Sequence, residues 1–177
     1  MPGAPFQYLH HLVTVPVTAG DHETRFILDS GIGLTLVTDR FAERLALEAG
    51  PETFTGRRMS GQAVTLPLAT LSALRFDTLE REDVRVGILD TASFPPEVAE
   101  LDGFLSLAFF DEQPFTVDYA AGVVYVGAPG SGAPIDIRIE SDGPDVTAFM
   151  PLVLPSGRRI EVEIDMGSDV LILDDSL

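Results

Sequence analysis

The 177-residue chain has room for one ordinary domain and part of another, and 45% of its residues are hydrophobic, enough for a sizeable core. Acidic residues outnumber basic ones 28 to 11, a formal net charge of −17. This argues against nucleic acid or an anionic membrane as partner and weakly favours cationic substrates. The chain has no cysteine, which excludes disulfides, thiol catalysis and thiolate metal sites.

The N-terminal "MPGAPFQYLHHLVTVPV" has no basic segment followed by a long apolar run, so it does not read as a signal peptide; the compartment stays open, cytoplasmic by default. His10 and His11 sit on a strand-like run that would point them to opposite faces, a poor metal pair. "LVTVPVTAG" (residues 12–20) and "TRFILD" (24–29) read as two strands about the polar turn "GDHE". A short helix is expected over "DRFAERLAL" (39–47), capped by Thr38, with Phe41 and Leu45 on one face. "QAVTLPLATLSALRF" (62–76) and "EDVRVGIL" (82–89) are further strands, and "PPEVAEL" (95–101) opens with prolines suited to one helical turn. "FTVDYAAGVVYVG" (115–127) reads as strand, turn, strand, and "IDIRIE" (135–140) as a last connecting strand. No window reaches 18 uninterrupted apolar residues, so no membrane span is expected. The class is therefore mainly β, a closed or strongly curled barrel.

"GAPGSGAP" (127–134) is the best linker and "SDGPD" (141–145) a second break. The two sides of this region repeat one another. "VPVTAGDHETRFILDSG" (15–31) and "MPLVLPSGRRIEVEIDMG" (150–167) both run strand, polar turn, strand, Asp-x-Gly. Pro16 precedes Asp29 by 13 positions and Pro151 precedes Asp165 by 14. After the acids, Leu34, Leu36 and Val37 answer Val170, Ile172 and Leu173. A duplication with pseudo-twofold symmetry would bring Asp29 and Asp165 together. Carboxylates about 3 Å apart cannot both ionise, so the pair would share one proton. One oxygen could then act as base on a water while the other acid polarises a carbonyl, without metal or cofactor. Glycine after each acid allows the tight turn that lets the two loops meet.

These residues resemble the aspartic proteases, and in particular the bacterial two-lobe retropepsin-like group. "FILDSGIGLTLV" (26–37) is similar to the family's Asp-Thr/Ser-Gly loop. "LDGFLSLAFF" (101–110) resembles the second signature that packs beside that loop, and "FTVDYAAGVVYV" its closing hairpin. The resemblance implies a retropepsin-like acid-protease β-barrel lobe over residues 1–127, a linker and connecting strand over 128–145, and the start of a second homologous lobe over 146–177. It further implies Asp29 and Asp165 as catalytic acids, supported by Ser30, Gly31, Gly167 and Ser168. Gly56, Met59, Ser60 and Gly61 in "TGRRMSGQAV" (55–64) fall where the family has its substrate-covering flap, with Gly56 and Gly61 as mobile ends. A peptide or protein substrate and peptide-bond hydrolysis follow as expectations. The alternatives are a catalytically inactive peptide- or protein-binding module, and a homodimer pairing Asp29 with its copy.

Three departures from the family pattern stand out. Met166 occupies the Thr/Ser place and cannot donate the hydrogen bond that grips the opposite loop. Ser106 stands where the second signature has Gly, which predicts crowding at a tight crossing. The second copy is short, which suggests a fragment of a longer two-lobe protein.

Overall fold

The computed structural model describes residues 3–57, 61–93 and 100–173. Fourteen strands are assigned: β1 (Ala4–Pro5), β2 (Gln7–Leu9), β3 (Leu12–Ala19), β4 (His22–Leu28), β5 (Leu36–Thr38), β6 (Thr53–Arg57), β7 (Ala63–Phe76), β8 (Leu79–Leu89), β9 (Gly103–Leu105), β10 (Phe115–Asp118), β11 (Val123–Val126), β12 (Arg138–Asp142), β13 (Asp145–Val153) and β14 (Arg159–Glu163). Among the described residues two short α-helices join them, α1 (Asp39–Arg44) and α2 (Leu107–Phe110). The expected turn over 95–101 falls mostly outside the described residues.

Eight strands form one sheet in the order β2-β3-β4-β9-β5-β8-β7-β6, and β3 also pairs with β7. That extra pairing, Thr18 to Arg75 and Ala19 to Leu74, curls the sheet back on itself. The expected closed barrel is the result. Alternation on β3 and β4 dictates what fills it. Val13, Val15, Val17, Ala19, Phe26 and Leu28 turn into one cluster with Val37, Phe41, Leu74, Phe76 and Leu105. Ile27, on the other face of β4, joins a second cluster with Leu34, Leu36, Leu66, Leu68, Leu89 and Phe104.

α1 begins where the sequence predicts. The Thr38 hydroxyl accepts from the Phe41 amide at 3.2 Å, and Asp39 and Arg44 sit at the helix ends that favour their charges. Phe41 is buried edge-on to Phe26, with centroids 5.9 Å apart. β7 is a single strand with two roles. Its first part pairs with β6 up to Pro67, and its remainder with β8 from Leu68 onward. Proline lacks an N–H for the ladder, so it suits the position where the partner changes.

His10 and His11 are not on a strand. They make the two-residue turn between β2 and β3, with His10 at φ 55°, so the opposite-face argument does not describe them. Ser106, expected to crowd a tight crossing, has a polar partner there. It is fully buried, its hydroxyl lies 3.1 Å from that of Thr35, and its amide donates to the Thr35 oxygen at 3.3 Å. The side chain is held by a buried polar partner at this crossing, where glycine would leave the Thr35 hydroxyl with the backbone amide alone.

A separate sheet, β12-β13-β14, carries the second half of the repeat. Its register reproduces that of β2-β3-β4. Pro16 faces Arg25, four residues before Asp29; Pro151 faces Glu161, four residues before Asp165. Gln7 pairs with Thr14 as Arg138 pairs with Phe149, Thr14 and Phe149 each standing two residues before the proline. The repeat thus extends one strand further toward the N-terminus than the sequence comparison reached. The single-residue difference in spacing falls in the turn, where the β13–β14 ladder also ends one pair earlier, so that two residues follow β3 and five follow β13.

Candidate active site

Asp29 directly follows β4, whose core side chains leave it no freedom to slide. Its amide donates to Leu105 O at 3.0 Å, so the Asp-Gly-Phe-Leu segment packs beside the loop as expected. Its Oδ1 accepts from the Gly31 amide at 2.9 Å. Asp165 follows β14 by two residues and repeats the arrangement, with Oδ1 accepting from the Gly167 amide at 2.8 Å. The two loops face each other. A methyl group on Gly31 would lie 2.5 Å from Oδ1 of Asp165, and one on Gly167 would lie 2.6 Å from Oδ2 of Asp29. Only glycine permits that approach.

The electrostatics follow from this contact. Burial pushes the Asp29 carboxyl up from 3.8 to about 6, opposed by the Gly31 amide and reinforced by the charge of Asp165 and a hydrogen bond to it. A carboxyl in that range keeps its proton in mildly acidic solution.

Ser30 ties the loops together. Its buried hydroxyl donates to Ile164 O at 2.5 Å and accepts from the Met166 amide at 3.0 Å. Met166 returns no such bond; its side chain packs against the barrel core. The grip is therefore one-sided. The Val146 amide adds a second tie, donating to Gly33 O at 3.2 Å. Ser168 does not cross between loops: its hydroxyl donates to Val170 O at 3.0 Å and braces its own turn.

β6 and the start of β7 pair antiparallel over the segment expected as the flap. Gly56 lies within that ladder opposite Val64 instead of at a mobile end, while Gly61 takes φ 79° past the tip. Met59 and Ser60 lie outside the described residues. Among the described residues no group of three or more His, Cys, Asp or Glu could hold a metal ion, and no helix is long and apolar enough to cross a membrane.

Sequence reasoning missed Glu163 and Asp145, two further acids whose charges act on one another and, from Glu163, on both Asp29 and Asp165. The repeat carried the signal: counted back from its acid, Glu163 occupies the position of Ile27.

The sequence over residues 15–109 matches the family model described as aspartyl protease. The chain belongs to the aspartyl protease family. Among solved structures, it is similar to a retropepsin-like aspartic protease from Rickettsia conorii, with 12% sequence identity, 66% of this chain and 85% of that chain covered, and a TM-score of 0.44. No curated protein matched the chain.

Proposed function

We propose that this aspartyl protease family member is an endopeptidase whose two catalytic carboxylates are Asp29 and Asp165 of one chain. The carrying observation is the reciprocal fit of each acid against the glycine of the opposite loop. One carboxylate takes a proton from water as the water oxygen attacks the peptide carbonyl, and the protonated partner donates to the carbonyl oxygen. Collapse of the resulting diol returns a proton to the amide nitrogen as the C–N bond breaks. The raised value of Asp29 supports a dyad that is singly protonated in mildly acidic solution. In this reading the hairpin of β6 and β7 is the segment that would cover an extended substrate.

A second reading, a peptide-binding module without activity, is favoured by the one-sided grip. A loop displaced by about 1 Å can cost about a hundredfold in rate. Incubating the chain and its Asp29→Asn variant with a mixed peptide library, read by mass spectrometry, separates the two. New peptide termini that vanish in the variant support catalysis. Intact peptides that still bind the folded chain support the second reading.

A further inference from the structure

Each half of the repeat sends a hairpin turn across to the opposite loop. The β2–β3 turn holds His10 and His11, and the β12–β13 turn leads into Asp145 and Val146. His11 stands five residues before Pro16, and Val146 five before Pro151. Their targets correspond as well. Gly33 lies four residues after Asp29, and Asp169 four after Asp165.

On one side, the Val146 amide donates to Gly33 O at 3.2 Å, and the Asp145 carboxylate fills the space that a side chain on Gly33 would take. On the other, Nδ1 of His11 faces Oδ2 of Asp169 at 3.9 Å. Both contacts depend on protons in the same sense. An imidazole attracts a carboxylate only when protonated, in mildly acidic solution. Burial, with the charge of Asp142 and against a hydrogen bond from Thr147, raises the Asp145 carboxyl above its ordinary value. Its contribution to docking is therefore present in acid and lost as pH rises.

The surroundings supply no counter-charge to Asp145. Among the described residues no ion pair engages it, and Glu163 on β14, which feels its charge, is another acid. Across the cavity beside Pro144, β8 and the end of α2 present Glu82 and Asp111. The two cations there are engaged, Arg81 by carbonyls at the end of α2 and Arg85 by Glu52.

We propose that His11 and Asp145 are positioning residues that make assembly of the two catalytic loops depend on acid: protonated, they hold the turns against Asp169 and Gly33; deprotonated, they loosen them. The inference deepens the endopeptidase reading, on which only its effect on cleavage rests. Docking of the loops is measured without cleavage.

Amide hydrogen exchange of the full chain, corrected for the intrinsic pH dependence of exchange, reads that docking at the Met166 amide, which donates to Ser30 across the interface. Wild type is compared with His11→Arg, His11→Gln, Asp169→Asn and Asp145→Asn at about pH 5 and about pH 8. Asp29 and Asp165 are common to all, so differences between variants belong to the turns. His11→Arg keeps its charge at the higher pH, and protection there should exceed that of the wild type about threefold. Asp145→Asn loses its charge and should do likewise. His11→Gln and Asp169→Asn should lower protection at about pH 5 by a similar factor, and Asp169→Asn should cancel the gain from His11→Arg. Because His11 and Asp169 are exposed, added salt should shrink these differences. Variants protected as the wild type is at both pH values, or a His11→Arg gain that survives Asp169→Asn, overturn the inference. Cleavage of peptides is followed in parallel. Protection that follows the substitutions without cleavage upholds the clamp and defeats the catalytic reading; cleavage with protection indifferent to them does the reverse.

Discussion

The bare α-carbon of Gly167 sits against the carboxylate of Asp29 so closely that one added methyl would lie 2.6 Å from Oδ2. Gly31 stands in the same relation to Asp165. Gly31→Ala or Gly167→Ala should therefore force the two loops apart while leaving the barrel folded. Cleavage should fall by about a hundredfold or more, with circular dichroism unchanged. An alanine variant as active as the wild type would show that the loops do not need this approach.

Asp29 makes stability depend on pH in a definite direction. Its folded value, about 6, lies above the ordinary 3.8, so its contribution is fully present below about pH 4 and is lost as pH rises through about 6. Asp29→Asn removes that dependence. Denaturant unfolding at pH 4 and pH 8 should show the variant gaining on the wild type by about 1–3 kcal/mol at the higher pH. Because the account needs one protonated acid, cleavage should also decline above about pH 6 and follow two apparent values belonging to the pair.

Ser30 supplies the hydrogen bonds of the grip, giving one to Ile164 and taking one from Met166. Ser30→Ala strands a carbonyl and an amide between the loops. A loss of about 1–3 kcal/mol in unfolding free energy is expected, with a larger proportional loss of activity. Ser30→Thr keeps the hydroxyl and should retain most of both.

Ser106→Ala tests the buried pair with Thr35. If the hydroxyl were merely tolerated at a crowded crossing, removing it would stabilise the protein. The hydrogen bond between the two hydroxyls predicts the opposite, a loss of about 1–2 kcal/mol measured by denaturant unfolding, as the Thr35 hydroxyl keeps only the residue-106 amide as partner.

Much of this architecture was legible in the residues. Alternation marked β3, β4, β7 and β8, Thr38 marked the start of α1, and the Asp-x-Gly repeat marked Asp29 and Asp165. What escaped depended on pairing across the chain. Nothing local says that Arg138 stands to Phe149 as Gln7 stands to Thr14, because register is visible only once the strands pair. His10 and His11 read as strand because the run around them is apolar, but the turn needs a positive φ at His10. Ser106 read as a defect because its partner Thr35 is 71 residues away. The apolar equivalence of Leu34 and Leu36 with Val170 and Ile172 was readable, but their environments differ. The first pair is buried in the barrel, whereas Val170 and Ile172 are 61% and 57% exposed.

The central claim is that the working pair of carboxylates lies within one chain, and Asp165→Asn tests it most directly. Cleavage of a peptide library by this variant is measured beside its mass in solution. The account predicts that cleavage falls by about 10³-fold or more, as far as in Asp29→Asn, with the variant still folded. An Asp165→Asn variant that cleaves at the wild-type rate, above all as a dimer able to pair two copies of Asp29, would contradict it.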